Sequence, residues 1–369
     1  MLDREWCHHY AYDTNGNRTQ ANYTIQTLAG TATEQRTEQT ASGTNRLQSH
    51  SHTYKPAGSN ASQTTTQDYP RDASGSLTRL GSQTLQYNAQ GRIAAATTAG
   101  GSTPAYSYQY NSSAQRLLKT DLRTSTTNTS TTATATTSTE ATLYADDATG
   151  STVLGQYSNQ RSTHSAAPAG EADSTEVLWL PTASGPMPIA AQINGRLYAI
   201  DSDHLNTPRR LTNAQGQVVW QWLITGYGEV APTTGATGYA FEAPQLGGSS
   251  NTSGNVYSEE VNFKLRYPGQ VWDEETGLSY NLNRYYDGQA GRYVQSDPIG
   301  LDGGWNRFGY VGGNPLERID PQGLADINIF HPNDKIPHSG ANSWNPKNYF
   351  SVAGHGNGSI ITSLLSEGK

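Results

Sequence analysis

The sequence predicts an all-β fold, and three observations support this prediction. Only 34% of the 369 residues are hydrophobic, and tyrosines outnumber phenylalanines by 22 to 5. The 38 glycines and 17 prolines are typical of many short strands joined by turns. Aromatic-rich stretches of alternating polarity also recur along the chain, each followed by Asp or Asn and then Gly. This pattern favours β-hairpins over helical layers.

The first hairpins are predicted to turn at Asn15-Gly16, Ser74-Gly75 and Gln90-Gly91. Asn tolerates the left-handed backbone conformation, and Gly adopts positive φ without a steric penalty. The same plan returns in LYADDATGSTVLGQY, RRLTNAQGQVVWQW and VWDEETGLSYNLNRYY. A single hairpin buries too little apolar surface to be stable, so we expect neighbouring hairpins to share a continuous sheet.

Two stretches depart from the hairpin pattern. Residues 124–142 are rich in Thr and Ser and carry almost no apolar side chains, and residues 232–256 are rich in Gly, Ser, Thr and Pro. Both compositions are typical of loops. We therefore expect both stretches to be loops inserted between hairpins.

Charge and cysteine usage exclude several function classes. The net charge of −7 is spread without a basic stripe, so nucleic acid is not expected to bind the main body. Cys7 is the single cysteine, which excludes an internal disulfide. A metal site at Cys7, His8 and His9 is not expected either, because adjacent side chains of a strand point to opposite faces and the sequence offers no further ligands. We expect no metal and no cofactor. No signal peptide or apolar run long enough to span a membrane is visible.

The repeats YDTNGNRT and YNAQGRI, and the run DHLNTPR in which Asn206 replaces the usual Gly, resemble the YD repeats of Rhs polymorphic toxins. Residues 265–324 resemble the Rhs-associated core of this family throughout. The resemblance implies that YD repeats over residues 1–264 spiral into part of a hollow β shell. It also implies that residues 265–324 cut the chain after a D-P-x-G-L motif, which frees a C-terminal toxin. Here that bond joins Leu324 to Ala325.

The D-P-x-G-L motif occurs twice, at 297–301 and at 320–324. We expect Asp297 and Asp320 to form an acid pair, in which one carboxyl keeps its proton and the other acts as a base on water. Arg292 is the candidate stabilising cation. The motif positions that restrict or bend the backbone are Pro298, Gly300, Pro321 and Gly323.

Two alternatives to this acid pair remain open. In the first alternative, both aspartates only cap turns, because Asp-Pro-x-Gly is also a favourable turn sequence. Asp302 is a third carboxylate that would replace Asp297 in the pair. A substitution of Asp297 or Asp320 by Asn distinguishes a catalytic from a turn-capping role, because an amide cannot exchange the required proton.

Composition changes abruptly after Leu324. Residues 325–369 are interpreted as the beginning of a variable toxin domain with α/β character, in which a strand and a Gly-rich turn carry His355 before a helix. The GHG run resembles the histidine segment of caspase-like cysteine peptidases, but no cysteine follows it. These 45 residues are too few for a complete toxin domain.

The leading hypothesis is a self-cleaving shell around its own C-terminal toxin. The family resemblance implies a cognate immunity protein, a secretion-machine spike or adaptor as partner, and export from a bacterial cytoplasm, with type VI secretion as the expected route. The alternative is a teneurin-like structural or adhesion shell without catalysis. The D-P-x-G-L ending favours the first hypothesis.

Overall fold

A computed structural model describes residues 6–27, 30–127, 134–161, 167–223, 225–235, 257–328, 351–354 and 360–361. Within these ranges the chain forms 26 strands and two short 3-10 helices, and every strand pair is antiparallel. The predicted all-β class is therefore confirmed. No helix in the described part of the chain is long and apolar enough to cross a membrane.

Seven strands build the first sheet. They are β1 (Trp6–Tyr12), β2 (Arg18–Thr27), β3 (Gly30–Thr40), β4 (Leu47–Lys55), β5 (Gln63–Asp68), β25 (Ser351–Gly354) and β26 (Ile360–Ile361). The spatial order is β26-β25-β1-β2-β3-β4-β5. The first five strands are thus neighbours in both sequence and space, as expected for successive hairpins, while two C-terminal strands extend the sheet beyond β1. His355 lies outside the described residues, and of the segment after it, which was predicted to form a helix, only Ile360–Ile361 are described and they form β26 instead.

Thirteen strands build the second sheet and follow one another in sequence order. They are β6 (Arg79–Leu80), β7 (Gln83–Tyr87), β8 (Ile93–Thr97), β9 (Pro104–Tyr110), β10 (Arg116–Thr127), β11 (Thr134–Tyr144), β12 (Val153–Ser158), β13 (Ser174–Thr182), β14 (Gly185–Ile193), β15 (Arg196–Ser202), β16 (Pro208–Thr212), β17 (Val218–Gln221) and β18 (Thr233–Thr234). The sheet is therefore one long meander, which agrees with the repeated hairpin pattern.

Two small sheets follow in the C-terminal part. A four-stranded sheet contains β19 (Val271–Asp273), β20 (Leu278–Asn281), β21 (Arg284–Asp287) and β22 (Arg292–Tyr293), and a two-stranded sheet contains β23 (Arg318–Ile319) and β24 (Ile327–Asn328). The 3-10 helices span Gly300–Gly303 and Val311–Gly313. These elements carry the candidate site.

A single type of turn joins many of the hairpins. The Oδ1 atom of Asp13 accepts hydrogen bonds from the backbone N–H groups of Asn15 and Asn17, each at 2.9 Å. Gly16, three residues after Asp13, has φ +74°, and Asn206 adopts φ +61° at the equivalent position of its own turn. The predicted Asn15-Gly16 turn is confirmed. Turns of the same kind begin at Asp72, Asn88, Asn111, Asp203 and Asn213.

The loop predicted at residues 124–142 is wrong over most of its length. Residues 124–127 end β10 and residues 134–142 belong to β11; residues 128–133 lie outside the described chain. Thr is β-branched and fits a pleated surface even when the composition is polar. The hydroxyls of Thr120 and Thr139 also meet across the two strands at 3.1 Å. Of the second predicted loop, 232–256, residues 233–234 form β18 and residues 236–256 are not described.

Residues 257–324 pack against both large sheets. On the first sheet, the Tyr69 hydroxyl donates to Asp287 at 2.7 Å. On the second sheet, Arg116 forms a buried ion pair with Asp273, and the hydroxyls of Tyr110 and Tyr285 meet at 2.7 Å. The core between the elements is rich in tyrosine, whose ring is apolar and whose hydroxyl finds a buried partner. These contacts connect the C-terminal segment to both large sheets.

Candidate active site

The four-stranded sheet supplies three polar side chains to one buried point. Asn281 ends β20 and Arg284 begins β21, and the two residues pair across the intervening turn. Tyr293 ends β22, which pairs with β21. All three residues are buried. A buried arginine requires a counter-charge.

Two aspartates supply that counter-charge. The Nη2 atom of Arg284 lies 3.0 Å from Oδ2 of Asp297 and 3.2 Å from Oδ2 of Asp320. Asp297 is 1% exposed and Asp320 is 2% exposed. The fold therefore brings together two aspartates that are 23 positions apart in sequence, and one guanidinium nitrogen contacts both of them.

Each aspartate uses its two oxygens for different purposes. The Oδ1 atom of Asp297 accepts a hydrogen bond from the N–H of Ile299 at 3.0 Å, and Oδ1 of Asp320 accepts one from the N–H of Leu324 at 3.0 Å. Each Oδ2 atom faces Arg284. The turn-capping and acid-pair interpretations are thus geometrically compatible, because each carboxyl stabilises its own turn while presenting its second oxygen to the shared arginine.

Asp320 receives further hydrogen bonds. The Tyr293 hydroxyl donates to Oδ2 of Asp320 at 2.7 Å. The amide of Asn281 donates to the Tyr293 hydroxyl at 2.7 Å and to the Asp320 carbonyl at 2.9 Å. The Arg284 guanidinium also stacks 3.6 Å from the centroid of the Tyr293 ring. The sequence analysis did not identify Asn281, Arg284 or Tyr293 as site residues.

The pKa values of both aspartates are raised. Burial raises the pKa of Asp297 to about 6, against the opposing effect of Arg284 and with a smaller contribution from the charge of Asp320. Burial also raises the pKa of Asp320, although Arg284 and the Tyr293 hydroxyl favour its charged form. A single arginine cannot fully compensate two buried carboxylates, so the pair retains a proton more readily than exposed aspartates do.

The Leu324 carbonyl, where cleavage is expected, lies beside this pair. The Nε atom of Arg284 donates to the Gly323 carbonyl at 2.5 Å, and Nη2 lies 3.5 Å from the Leu324 carbonyl oxygen. A Cβ atom added to Gly303 would meet both Oδ2 of Asp297 and the Leu324 carbonyl oxygen at less than 3 Å. The carbonyl and the Asp297 carboxyl therefore border the same glycine. Ala325 follows at an exposed position.

Arg292 does not lie beside the acid pair, so its predicted position is wrong. Its Nη2 atom donates to the Asn17 side chain and to the Asn45 carbonyl, each at 2.9 Å. Successive side chains of a strand point to opposite faces, and Tyr293 occupies the face that meets Asp320. Arg292 therefore points away from the pair towards the first sheet.

The two D-P-x-G-L motifs adopt the same turn in different surroundings. Gly300 and Gly323 have φ +69° and +65°. The first motif ends at an exposed 3-10 helix, where Leu301 is 62% exposed and Asp302 is also exposed. The second motif enters the interior: Pro321 and Gly323 are buried. Only the second motif brings its leucine carbonyl to Arg284, and Asp302 does not take the place of Asp297 in the contacts described above.

Two known proteins are similar in sequence to parts of this chain. Toxin protein Tse5 of Pseudomonas aeruginosa is 34% identical over 161 residues, which cover 42% of this chain and 10% of that protein. Probable deoxyribonuclease RhsB of Dickeya dadantii is 52% identical over 68 residues, which cover 18% of this chain and 5% of that protein. No protein-family model matches the chain.

A solved structure has the same fold. The crystal structure of TcdB2-TccC3-TEV matches 86% of this chain and 15% of its own chain, with a TM-score of 0.53 and 18% identity. The fold and the site thus define a meandering β-hairpin protein with a buried aspartate pair at its C-terminal end. Over part of its length the chain is similar to polymorphic toxin proteins of the Rhs type, and it shares the fold of the matched structure. It spans about half the length or less of the curated relatives it matches.

Proposed function

We propose that the chain cleaves itself between Leu324 and Ala325 and thereby frees the segment that follows. The observation that carries this proposal is the single Arg284 nitrogen that contacts both Asp297 and Asp320 beside the Leu324 carbonyl. Two buried carboxylates that share one cation have the properties of an acid–base pair, because one of them holds a proton while the other is ionised.

Asp320 is assigned as the base. It accepts hydrogen bonds from Tyr293, from the Leu324 N–H and from Arg284, and all three stabilise its ionised form. In this role it removes a proton from a water molecule that attacks the Leu324 carbonyl carbon. The carbon–oxygen bond forms as the carbonyl π bond breaks.

Asp297 is assigned as the acid. Its pKa of about 6 leaves a substantial protonated fraction in mildly acidic solution. Protonated Asp297 donates to the carbonyl oxygen and gives a neutral tetrahedral intermediate, which the positive charge of Arg284 also stabilises. On collapse the carbon–nitrogen bond breaks as a new carbonyl π bond forms, and the Ala325 nitrogen receives the proton that Asp320 took from water. One hydroxyl proton of the intermediate returns to Asp297. Leu324 is left with a carboxylic acid, which then loses its proton to solvent.

The proposed biological role is supported by the similarity to named toxins. Tse5 is named a toxin and RhsB a probable deoxyribonuclease, and the chain is proposed to be part of a related effector that is delivered to a target cell. In this proposal the β sheets are part of a shell around the cleaved C-terminal toxin. A cognate immunity protein, a secretion-machine spike or adaptor, and a type VI route of export complete the proposed context.

The experiment is refolding of the full chain from denaturant, followed by intact mass measurement over time. Wild type is expected to give a fragment that ends at Leu324 and a fragment that begins at Ala325. Asp297→Asn and Asp320→Asn variants are expected to stay intact while folding normally by circular dichroism. A folded wild-type chain that stays intact would refute self-cleavage and favour the purely structural alternative.

A matched control comes from the first D-P-x-G-L motif. Its leucine, Leu301, is exposed and lies away from Arg284, so no cut is expected at the bond after it. Substitution of Asp302 by Asn tests the third carboxylate in the same assay. This variant is expected to cleave at the wild-type rate because Asp302 is exposed.

A further inference from the structure

The chain is also held on the far side of the expected cut. Strands β23 and β24 pair through Arg318 with Asn328 and through Ile319 with Ile327. The seven residues between these strands, 320–326, contain both Asp320 and the Leu324–Ala325 bond. The bond thus lies within a short loop that is closed at both ends by strand pairing.

An ion pair closes the same loop. The Nη1 atom of Arg318 lies 2.7 Å from Oδ2 of Asp326, the second residue after the bond. Both side chains are largely shielded, at 18% and 22% exposure. Arg318 is itself fixed, because its backbone N–H donates to the Asn314 carbonyl at 3.2 Å. The ion pair therefore links the segment before the expected cut to the segment after it.

An apolar cavity of about 70 Å³ lies next to this ion pair. Ile327, the third residue after the bond, lines it together with Trp179, Ile319 and Pro321. The cavity wall also includes Gln270, which is 2% exposed and whose two amide atoms have no hydrogen-bond partner among the described residues. An apolar cavity with a free amide suits a peptide segment that offers an aliphatic side chain and a backbone amide.

We propose that Arg318 and this cavity form a binding site for the residues that follow the cut, with Arg318 as a positioning residue for cleavage. This inference rests on the proposed self-cleavage. Arg318 holds Asp326, and Ile327, which is 43% exposed, covers one wall of the cavity, so the Leu324 carbonyl stays against Asp297 and Arg284. The chain thereby selects an acidic residue at the second position and an aliphatic residue at the third position of its own cargo.

The physical reason is the sensitivity of a hydrolytic step to alignment. A displacement of about 1 Å between reacting groups can reduce a rate by about a hundredfold. Without the ion pair, only the two residue pairs between β23 and β24 hold the segment after the bond. The Leu324 carbonyl then moves more freely relative to Asp297 and Asp320. Loss of Arg318 is therefore expected to slow the reaction without changing its chemistry.

The test uses the full chain in the refolding assay. Arg318→Gln and Asp326→Asn are each expected to slow cleavage by about tenfold, and Arg318→Lys is expected to lose less because it keeps the charge. The charge-swapped double variant R318D/D326R is expected to recover most of the lost rate. Ile327→Asp is expected to slow cleavage as well, because it places a charge in the apolar cavity.

The control is Arg196→Gln, which removes an ion pair of the same 2.7 Å length to Glu259 outside the site. It is expected to leave the rate unchanged. In R318Q the pH midpoint of cleavage is expected to stay at its wild-type value while the maximal rate falls, which a change in the acid pair itself would not produce.

Cleavage of R318Q at the wild-type rate would overturn the inference. So would a double variant that folds, as judged by circular dichroism, but is as slow as the single variants. A folded wild-type chain that does not cleave would instead refute the proposed function, so the two failures are distinguishable.

Discussion

Two buried arginines of this protein contact aspartates whose pKa values are shifted in opposite directions. Arg116 contacts both oxygens of Asp273, and Lys119 lies 3.4 Å from the same carboxylate. Burial alone would raise the pKa of Asp273, but the two cations outweigh it and the pKa falls below its usual value. Around Arg284 the ratio is reversed, since one cation serves two carboxylates, and both pKa values rise.

This difference separates a structural ion pair from a reactive one. Two cations around one carboxylate hold it ionised at all physiological pH values, so Asp273 has no proton to exchange. One cation between two carboxylates neutralises only one of the two negative charges. The other carboxylate therefore binds a proton more readily. The site at Arg284 therefore differs from that at Arg116 by its two aspartates on one cation and by the Leu324 carbonyl beside them.

The largest expected effect comes from removing one acid. Asp297→Asn or Asp320→Asn is expected to lower the cleavage rate by about a thousandfold or more, because general acid–base catalysis is lost. Asp273→Asn, the matched variant at the structural pair, is expected instead to lower the free energy of unfolding by about 3 kcal/mol. Denaturant unfolding in a non-cleaving background and refolding kinetics measure the two effects separately.

Arg284→Gln is the next variant in order of effect. It is expected to slow cleavage by about a hundredfold, because the charge that stabilises the tetrahedral intermediate is lost. Arg116→Gln should act mainly on stability. Equal losses of rate in the two folded variants would contradict the distinction between the two sites.

Gly303→Ala tests the geometry without a change of charge. The added methyl group would stand less than 3 Å from both Oδ2 of Asp297 and the Leu324 carbonyl oxygen. We expect it to separate these groups and to slow cleavage by about tenfold to a hundredfold. Gly309→Ala is the control, because neither glycine has positive φ and a Cβ at Gly309 meets its nearest atoms only at 3.4 Å.

The pH dependence follows from the direction of the pKa shifts. With Asp297 as the acid, the cleavage rate is expected to fall as pH rises through about 6. The same raised pKa means that the contribution of Asp297 to stability is present at low pH and is lost as pH rises through about 6. Refolding at a series of pH values measures the rate. A rate that keeps rising from pH 6 to pH 8 would exclude Asp297 as the acid.

Tyr293→Phe is expected to have the smallest effect. It removes one of the hydrogen bonds that Asp320 accepts and leaves those from Arg284 and the Leu324 N–H. Loss of one hydrogen bond to a charged group corresponds to about 1.5 kcal/mol, or roughly tenfold in rate. An unchanged rate would show that Tyr293 only supports the fold.

The local parts of this structure were predictable from sequence. Most of the hairpin turns begin at Asp or Asn and carry Gly three residues later, although Ala114 and Asn206 take that position in two of them. The duplicated D-P-x-G-L motif identified Asp297 and Asp320. The Thr-rich segment was assigned to a loop because its composition is polar, whereas β-branching and cross-strand pairing place most of it in β10 and β11.

The shared arginine was not predictable in the same way. Arg284 and Arg292 both lie in short aromatic-rich strands with no local signal that distinguishes them. Only the pairing of β20, β21 and β22 decides which side chain faces the acid pair. One signal was available: an arginine among tyrosines in a buried strand must have a counter-charge. Several arginines of the C-terminal segment meet this criterion, so it does not identify Arg284 alone.

The most direct test of the acid pair is refolding of the wild-type chain in water enriched in oxygen-18, followed by intact mass measurement and peptide mapping. If Asp320 activates water against the Leu324 carbonyl, one oxygen-18 atom appears in the new carboxylate of Leu324 and none in the fragment that begins at Ala325. Oxygen-18 in the side chain of Asp320 or Asp297 would instead mean direct attack by a carboxylate. That result would contradict the account.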